Sequence, residues 1–194
     1  MGRRGRLSLP PLVFRKLDGV QLATVVEREC KKLLHSGPIA LIGIERDGPG
    51  GSCADQLKYG PFTSITVPVH TGAKLADGEN YNLRAWLHQQ AKDYLTENEI
   101  HLPDDDTFRS QATAIQYTYK ASLLLIESKD EYRSRFAMGK SISEKRAGRS
   151  PDRWDAFVLT FIPSRAKPVA QVKTDLHFLP KSKAWRPLDR VMGY

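Results

Sequence analysis

Asp152 and Asp155 stand three residues apart in Ser150-Pro151-Asp152-Arg153-Trp154-Asp155-Ala156-Phe157-Val158-Leu159-Thr160-Phe161. On a helix that spacing puts both carboxylates on one face. Ser150 suits the cap and Pro151 the first helical position. Trp154, Phe157, Val158 and Phe161 form an apolar stripe that would hold the helix against a core. Carboxylates so placed either favour the positive end of the helix dipole or form half of a metal site. A third carboxylate, Glu45, ends the run Ile39-Ala40-Leu41-Ile42-Gly43-Ile44. A run apolar on both faces reads as a central strand covered by helices, and ligands of open α/β sheets gather at the carboxyl ends of their strands.

Other chemistry-bearing residues have simpler readings. Asp47-Gly48-Pro49-Gly50-Gly51-Ser52 is a tight turn whose glycines let the backbone approach a phosphate or metal. It matches neither the dinucleotide fingerprint nor a Walker motif. Asp47 reads as a turn former, Asp55 as a residue near a helix N-terminus, and Asp104, Asp105 and Asp106 as a cap following Pro103. The five histidines are scattered without a partner at informative spacing, so no Ser-His-Asp or Cys-His arrangement is expected. Cys30 and Cys53 lack metal-ligand spacing and suit a reducing compartment.

The elements that must position Glu45 and the Asp pair follow from periodicity. Residues 1–11 read as a flexible basic arm and Leu12 to Phe14 as a short strand. Asp18 caps a helix with Leu22, Val25, Val26, Cys30, Leu33 and Leu34 on its apolar face, ended by Gly37-Pro38. Ala54 to Lys58 begins a helix and Ser64 to Val69 is a strand. Helices are expected over Asn82–Glu97 and Asp104–Ile115. Gln116–Tyr119 and Leu123–Ile126 suit a hairpin through Lys120-Ala121-Ser122. Helix returns near Lys129 and again over Pro151–Phe161. Residues 163–194 read as an irregular, proline-bearing tail. Alternating strands and helices predict an α/β layered domain over residues 12–162.

The 194 residues carry a formal charge of +8, with a pI near 9.5. Arg3, Arg4 and Arg6 open the chain, and Arg133, Arg135, Lys140, Lys145, Arg146 and Arg149 crowd the segment before the acidic helix, opposed only by Glu144. Such a cluster is either a solvated face or a means of bringing a polyanion, nucleic acid included, to the carboxylates. No apolar run reaches the ~20 residues that span a bilayer, so no membrane association is expected.

The strand ending in Glu45 with its glycine turn, the hairpin exit Leu125-Ile126-Glu127-Ser128-Lys129-Asp130 and the Ser150–Ala156 helix occur in an order that resembles the nuclease domain of tailed-phage large terminases. The likeness runs from Leu12 to Phe161 and takes in Tyr81-Asn82-Leu83-Arg84-Ala85-Trp86 and Ile100-His101-Leu102-Pro103-Asp104-Asp105. The resemblance implies an RNase H-like mixed sheet flanked by helices and cleavage of concatemeric viral DNA during packaging. It assigns Glu45 and Asp155 as catalytic metal ligands, with Asp152 as a further ligand. It places Lys129 near DNA phosphate, beside a DNA-binding set of Arg133, Arg135, Lys145, Arg146 and Arg149. Two Mg²⁺ or Mn²⁺ ions ~4 Å apart are the implied cofactors, since such ions take carboxylate oxygens and together activate water and stabilise a leaving oxygen. The implied partners are double-stranded DNA, a terminase ATPase domain, the small terminase subunit and the portal, in the cytoplasm of a bacterial host. The family's first-strand Asp and ATPase motor precede the matching segment, so an N-terminally truncated fold is expected: a fragment, a split-gene product, a chain completed by a partner, or a degenerate copy.

Overall fold

The computed structural model describes residues 1–48, 50–136 and 150–164. Its first strands, β1 (Arg3–Arg4) and β2 (Leu7–Ser8), form an antiparallel hairpin. Helix α1 (Gly19–Leu34) starts at Asp18, which forms a reciprocal capping box with Gln21. Strand β3 (Ile42–Glu45) then runs parallel to β4 (Thr66–Val69), with Glu45 opposite Val69. The crossover between them contains α2 (Gly50–Leu57), which packs on α1.

Beyond β4, Asn82 caps α3 (Leu83–Glu97) by accepting from the Ala85 N–H, and Asp105 caps α4 (Asp106–Ala114) by accepting from Phe108. Strands β5 (Tyr117–Lys120) and β6 (Leu123–Ile126) form the expected hairpin. Its turn is tighter than expected: Ala121 and Ser122 alone make it, at φ of 51° and 64°. Positive φ at both central positions is the turn that matches strand twist. Helices α5 (Lys129–Phe136) and α6 (Asp152–Val158) follow, and a 3₁₀ segment, Leu159–Ser164, extends α6.

The chain is therefore a mixed α/β protein in which the described strands pair two by two, as β1–β2, β3–β4 and β5–β6. Isolated bridges join Leu7 to His101 and Asn80 to Leu124. One face of β3–β4 meets the larger core, where Val69 joins Trp86, Leu87 and Ala91 of α3, Phe108 of α4, and Trp154, Phe157 and Phe161. Phe157 is fully buried, 5.6 Å from the Phe108 ring and 5.2 Å from Phe161. The other face sends Ile44 into a smaller core of Ala23, Cys53 and Leu57 between α1 and α2. Strand alternation puts Gly43 and Glu45 on the α6 side. There a Cβ on Gly43 would lie 2.6 Å from Ile162 Cδ1, so the glycine lets the C-terminal segment close onto the strand.

Further expectations change. Strand β3, expected to be central, pairs only with β4 among the described strands. Residues 1–11, expected as a flexible arm, fold back onto the domain. Arg3 stacks 4.3 Å over Phe161 and donates to the Thr160 carbonyl, Arg4 donates to the Leu33 and Gly37 carbonyls, and Ser8 N–H donates to the His101 carbonyl. These arginines lie on apolar and carbonyl surfaces, which uses their planar, donor-rich heads in packing. Leu12–Phe14 forms no strand and all three side chains are exposed; Pro10 and Pro11 just before it remove two donors that pairing needs. Ser150 does not cap α6. The cap position falls on Pro151, which has no side-chain bond to give, and Gln111 of α4 takes over. Its Oε1 accepts from the N–H groups of Arg153 (3.0 Å) and Trp154 (3.3 Å), while its Nε2 donates to the Ser150 carbonyl.

Candidate active site

Glu45 ends β3, and Asp155 faces inward one turn into α6. The two meet across Lys129, whose Nζ lies 2.7 Å from Glu45 Oε2 and 3.5 Å from Asp155 Oδ2. Lys129 opens α5, where the helix dipole disfavours a cation, so the helix itself does not explain it. Ser128 and Glu131 supply the local reason for the helix start: Ser128 Oγ accepts from the Glu131 N–H at 3.1 Å and Glu131 Oε2 accepts from the Ser128 N–H at 2.6 Å. This capping box fixes α5 at the exit of β6 and aims the following lysine at the carboxylates.

Asp155 is almost fully buried and has two further partners. Arg84 Nη2 lies 3.3 Å from its Oδ1, and the same guanidinium donates to the Glu127 carbonyl. His88, one helical turn along α3, places Nε2 3.5 Å from that oxygen. Thr71 Oγ1, after β4, stands 3.2 Å from both Glu45 Oε1 and Asp47 Oδ2. Glu45, Thr71, Arg84, His88 and Asp155 thus wall a cleft floored by Leu87 and Val158. Gly50 lets α2 begin against the end of β3: a Cβ there would sit 1.9 Å from the Glu45 carbonyl oxygen.

Burial alone would raise the Asp155 carboxyl, but His88 and the charges of Arg84 and Lys129 outweigh it and hold the group below the usual carboxylate range. Burial opposes the charged Lys129 ammonium too; the bond to Glu45 and the fields of Asp155, Glu45 and Asp152 prevail and raise it. His88 moves the other way, since burial lowers it more than Asp155 raises it. At neutral pH Asp155 is therefore a carboxylate, Lys129 an ammonium and His88 a neutral imidazole.

The donor set suits a hard divalent ion. Oxygens of Glu45 and Asp155 already converge on one cationic atom, and Asp155 Oδ2 is buried without a hydrogen bond. Among the described residues no group of three or more His, Cys, Asp or Glu could hold a metal. Two carboxylates nevertheless suffice for Mg²⁺, which keeps several waters and takes substrate phosphate oxygens as ligands. Comparison with protein-family models, curated proteins and solved structures found no match. The assignment therefore rests on the residues themselves.

The structure brings together three of the residues singled out from the sequence: Glu45, Asp155 and Lys129. Asp152 is exposed on the preceding turn of α6 and contributes charge at Lys129. Arg133 pairs with Asp130 at 3.0 Å, and Arg135 pairs with Glu127, so neither guanidinium is turned toward the cleft carboxylates. Lys145, Arg146 and Arg149 lie outside the described residues. Arg84 and His88 are the site residues that sequence reasoning missed. The available signal was their i, i+4 spacing on the α3 face that also carries Ala91, whose small side chain allows close approach. Among the described residues no helix is long and apolar enough to cross a membrane.

Proposed function

We propose that the chain is a metal-dependent endodeoxyribonuclease domain of the phage terminase kind, built on an RNase H-like fold and acting on double-stranded DNA in the cytoplasm of a bacterial host. One observation carries the reading: Glu45, at the carboxyl end of a parallel strand, and Asp155, on the last described helix, converge on a single cation. Structural ion pairs need no such arrangement, because one carboxylate would satisfy Lys129.

A bound Mg²⁺ or Mn²⁺ would supply Lewis acidity for phosphodiester hydrolysis. Glu45 and Asp155 would hold it, and Asp152, whose charge is felt at Lys129, is the candidate ligand for a second ion. Arg84, at 3.3 Å, favours the ionised form of the buried Asp155. Lys129, once released from the carboxylates, is placed to meet a phosphate oxygen. A terminase ATPase domain, small subunit and portal are the partners this reading implies.

The test is nicking of supercoiled plasmid with Mn²⁺. Wild-type protein should convert it to open circles, and Glu45→Gln and Asp155→Asn should each reduce the rate at least ~100-fold, the scale seen when a group acting in the transition state is lost. Undiminished cleavage by both variants would overturn the assignment. The internal neutralisation of the carboxylates by Lys129 favours one other reading, a DNA-binding packaging subunit without hydrolysis. That reading expects salt-sensitive binding and no nicking at any metal concentration.

A further inference from the structure

Beside the carboxylates lies a buried relay that the proposed chemistry does not itself require. His88 is 5 % exposed and Trp154 6 %, and they meet edge to face across the α3–α6 interface. The indole Nε1 lies 3.2 Å from His88 Nδ1. An indole N–H can only donate, so Nδ1 must accept, and the imidazole proton must reside on Nε2. That is the nitrogen facing Asp155 Oδ1 at 3.5 Å. Trp154 immediately precedes Asp155 on α6, so one helical turn supplies both the group that sets the tautomer and the carboxylate that the Nε2–H faces.

We infer that His88 is a positioning residue for Asp155: Trp154 locks the imidazole as the Nε2–H tautomer, whose N–H faces Oδ1 from 3.5 Å without a formed hydrogen bond, and Oδ2, beside Lys129, is the oxygen left for a metal. The inference rests on reading Asp155 as a ligand. A structural histidine would need only a filled cavity. Here the geometry demands a donor at Nε2, because Asp155 Oδ1 also faces Arg84 Nη2 at 3.3 Å and a lone pair at Nε2 would repel the carboxylate. Outer-shell partners of this kind alter metal affinity by ~10–100-fold when removed.

Two measurements test it. Long-range ¹H–¹⁵N spectra of metal-free wild-type protein should show His88 as the Nε2–H tautomer, and Trp154→Phe should shift it toward a mixture. Titration with Mn²⁺ followed by electron paramagnetic resonance should give ~10-fold weaker binding for His88→Leu. His88→Gln, whose amide N–H can occupy the Nε2 position, should stay within ~3-fold of wild type. A wild-type Nδ1–H tautomer overturns the inference, as does equal Mn²⁺ affinity in His88→Leu and wild type. Absence of Mn²⁺ binding by wild type overturns the metal reading instead, and the tautomer spectra alone then decide whether Trp154 and His88 form the relay.

Discussion

Replacing Lys129 with Met keeps much of the stem and removes the charge that joins Glu45 to Asp155. The lost contacts are a charge-assisted bond of 2.7 Å and a second approach of 3.5 Å, between side chains exposed by 29 %, 23 % and 11 %. A hydrogen bond to a charged group contributes about 1.5–3 kcal/mol, and breaking a fully buried pair costs about 3–5 kcal/mol. Partial solvent access argues for the lower part of that range, about 2–3 kcal/mol. For a domain of this size the melting temperature should fall by about 4–12 °C. A divalent ion entering between the same carboxylates must first displace the ammonium in wild type, and meets no such competitor in the variant. The same 2–3 kcal/mol then appears as Mn²⁺ affinity about 30–140-fold tighter in Lys129→Met, at 1.4 kcal/mol per decade. Calorimetric titration with Mn²⁺ measures this directly, and added Mn²⁺ should restore much of the lost thermal stability. Equal or weaker Mn²⁺ binding by the variant would refute the idea that Lys129 holds the place of the ion.

Gln111→Ala should lower stability by about 2–3 kcal/mol in urea unfolding, because it removes a cap and leaves buried N–H groups of α6 without an acceptor. Gln111→Glu, which keeps the accepting oxygen, should recover part of the loss. Asp155 is depressed in the folded state, so its contribution is complete above its unfolded pKa of about 3.9 and is lost as pH falls through the folded value. Urea midpoints should therefore fall below about pH 6.5, where the unfolded chain protonates His88 and the buried imidazole resists, and fall again below about pH 4, with the second drop shallower in Asp155→Asn. The raised Lys129 works oppositely: its contribution is complete below about pH 10.4 and fades only above it.

Much of the scaffold was legible because local signals and tertiary packing agree. Asp18, Asn82 and Asp105 each begin a helix as side-chain caps, and the apolar run before Glu45 does lead to the carboxyl end of a parallel strand. The placement of Glu45 at a strand end and of Asp155 on an inward helix face was legible for the same reason, since both are fixed by period. The failures occurred where a distant residue decides. Ser150 looked like a cap, yet Gln111 reaches the helix first. Arg3 and Arg4 looked like a mobile charge, yet aromatic rings and helix-end carbonyls capture them. His88 looked like one polar residue among several on α3, and only the packed arrangement reveals Trp154 and Asp155 at its two nitrogens.

The cap borrowed from Gln111 bears on the order in which the molecule assembles. Helix α6 has seven residues and no side-chain cap of its own, far short of the ~12–15 at which isolated helices persist in water. It acquires its first turn only when α4 is already in place. Asp155 therefore meets Glu45 and Lys129 only where α4 and α6 are packed together. Hydrogen exchange at Arg153 and Trp154 should then track the opening of α4 rather than simple fraying of α6.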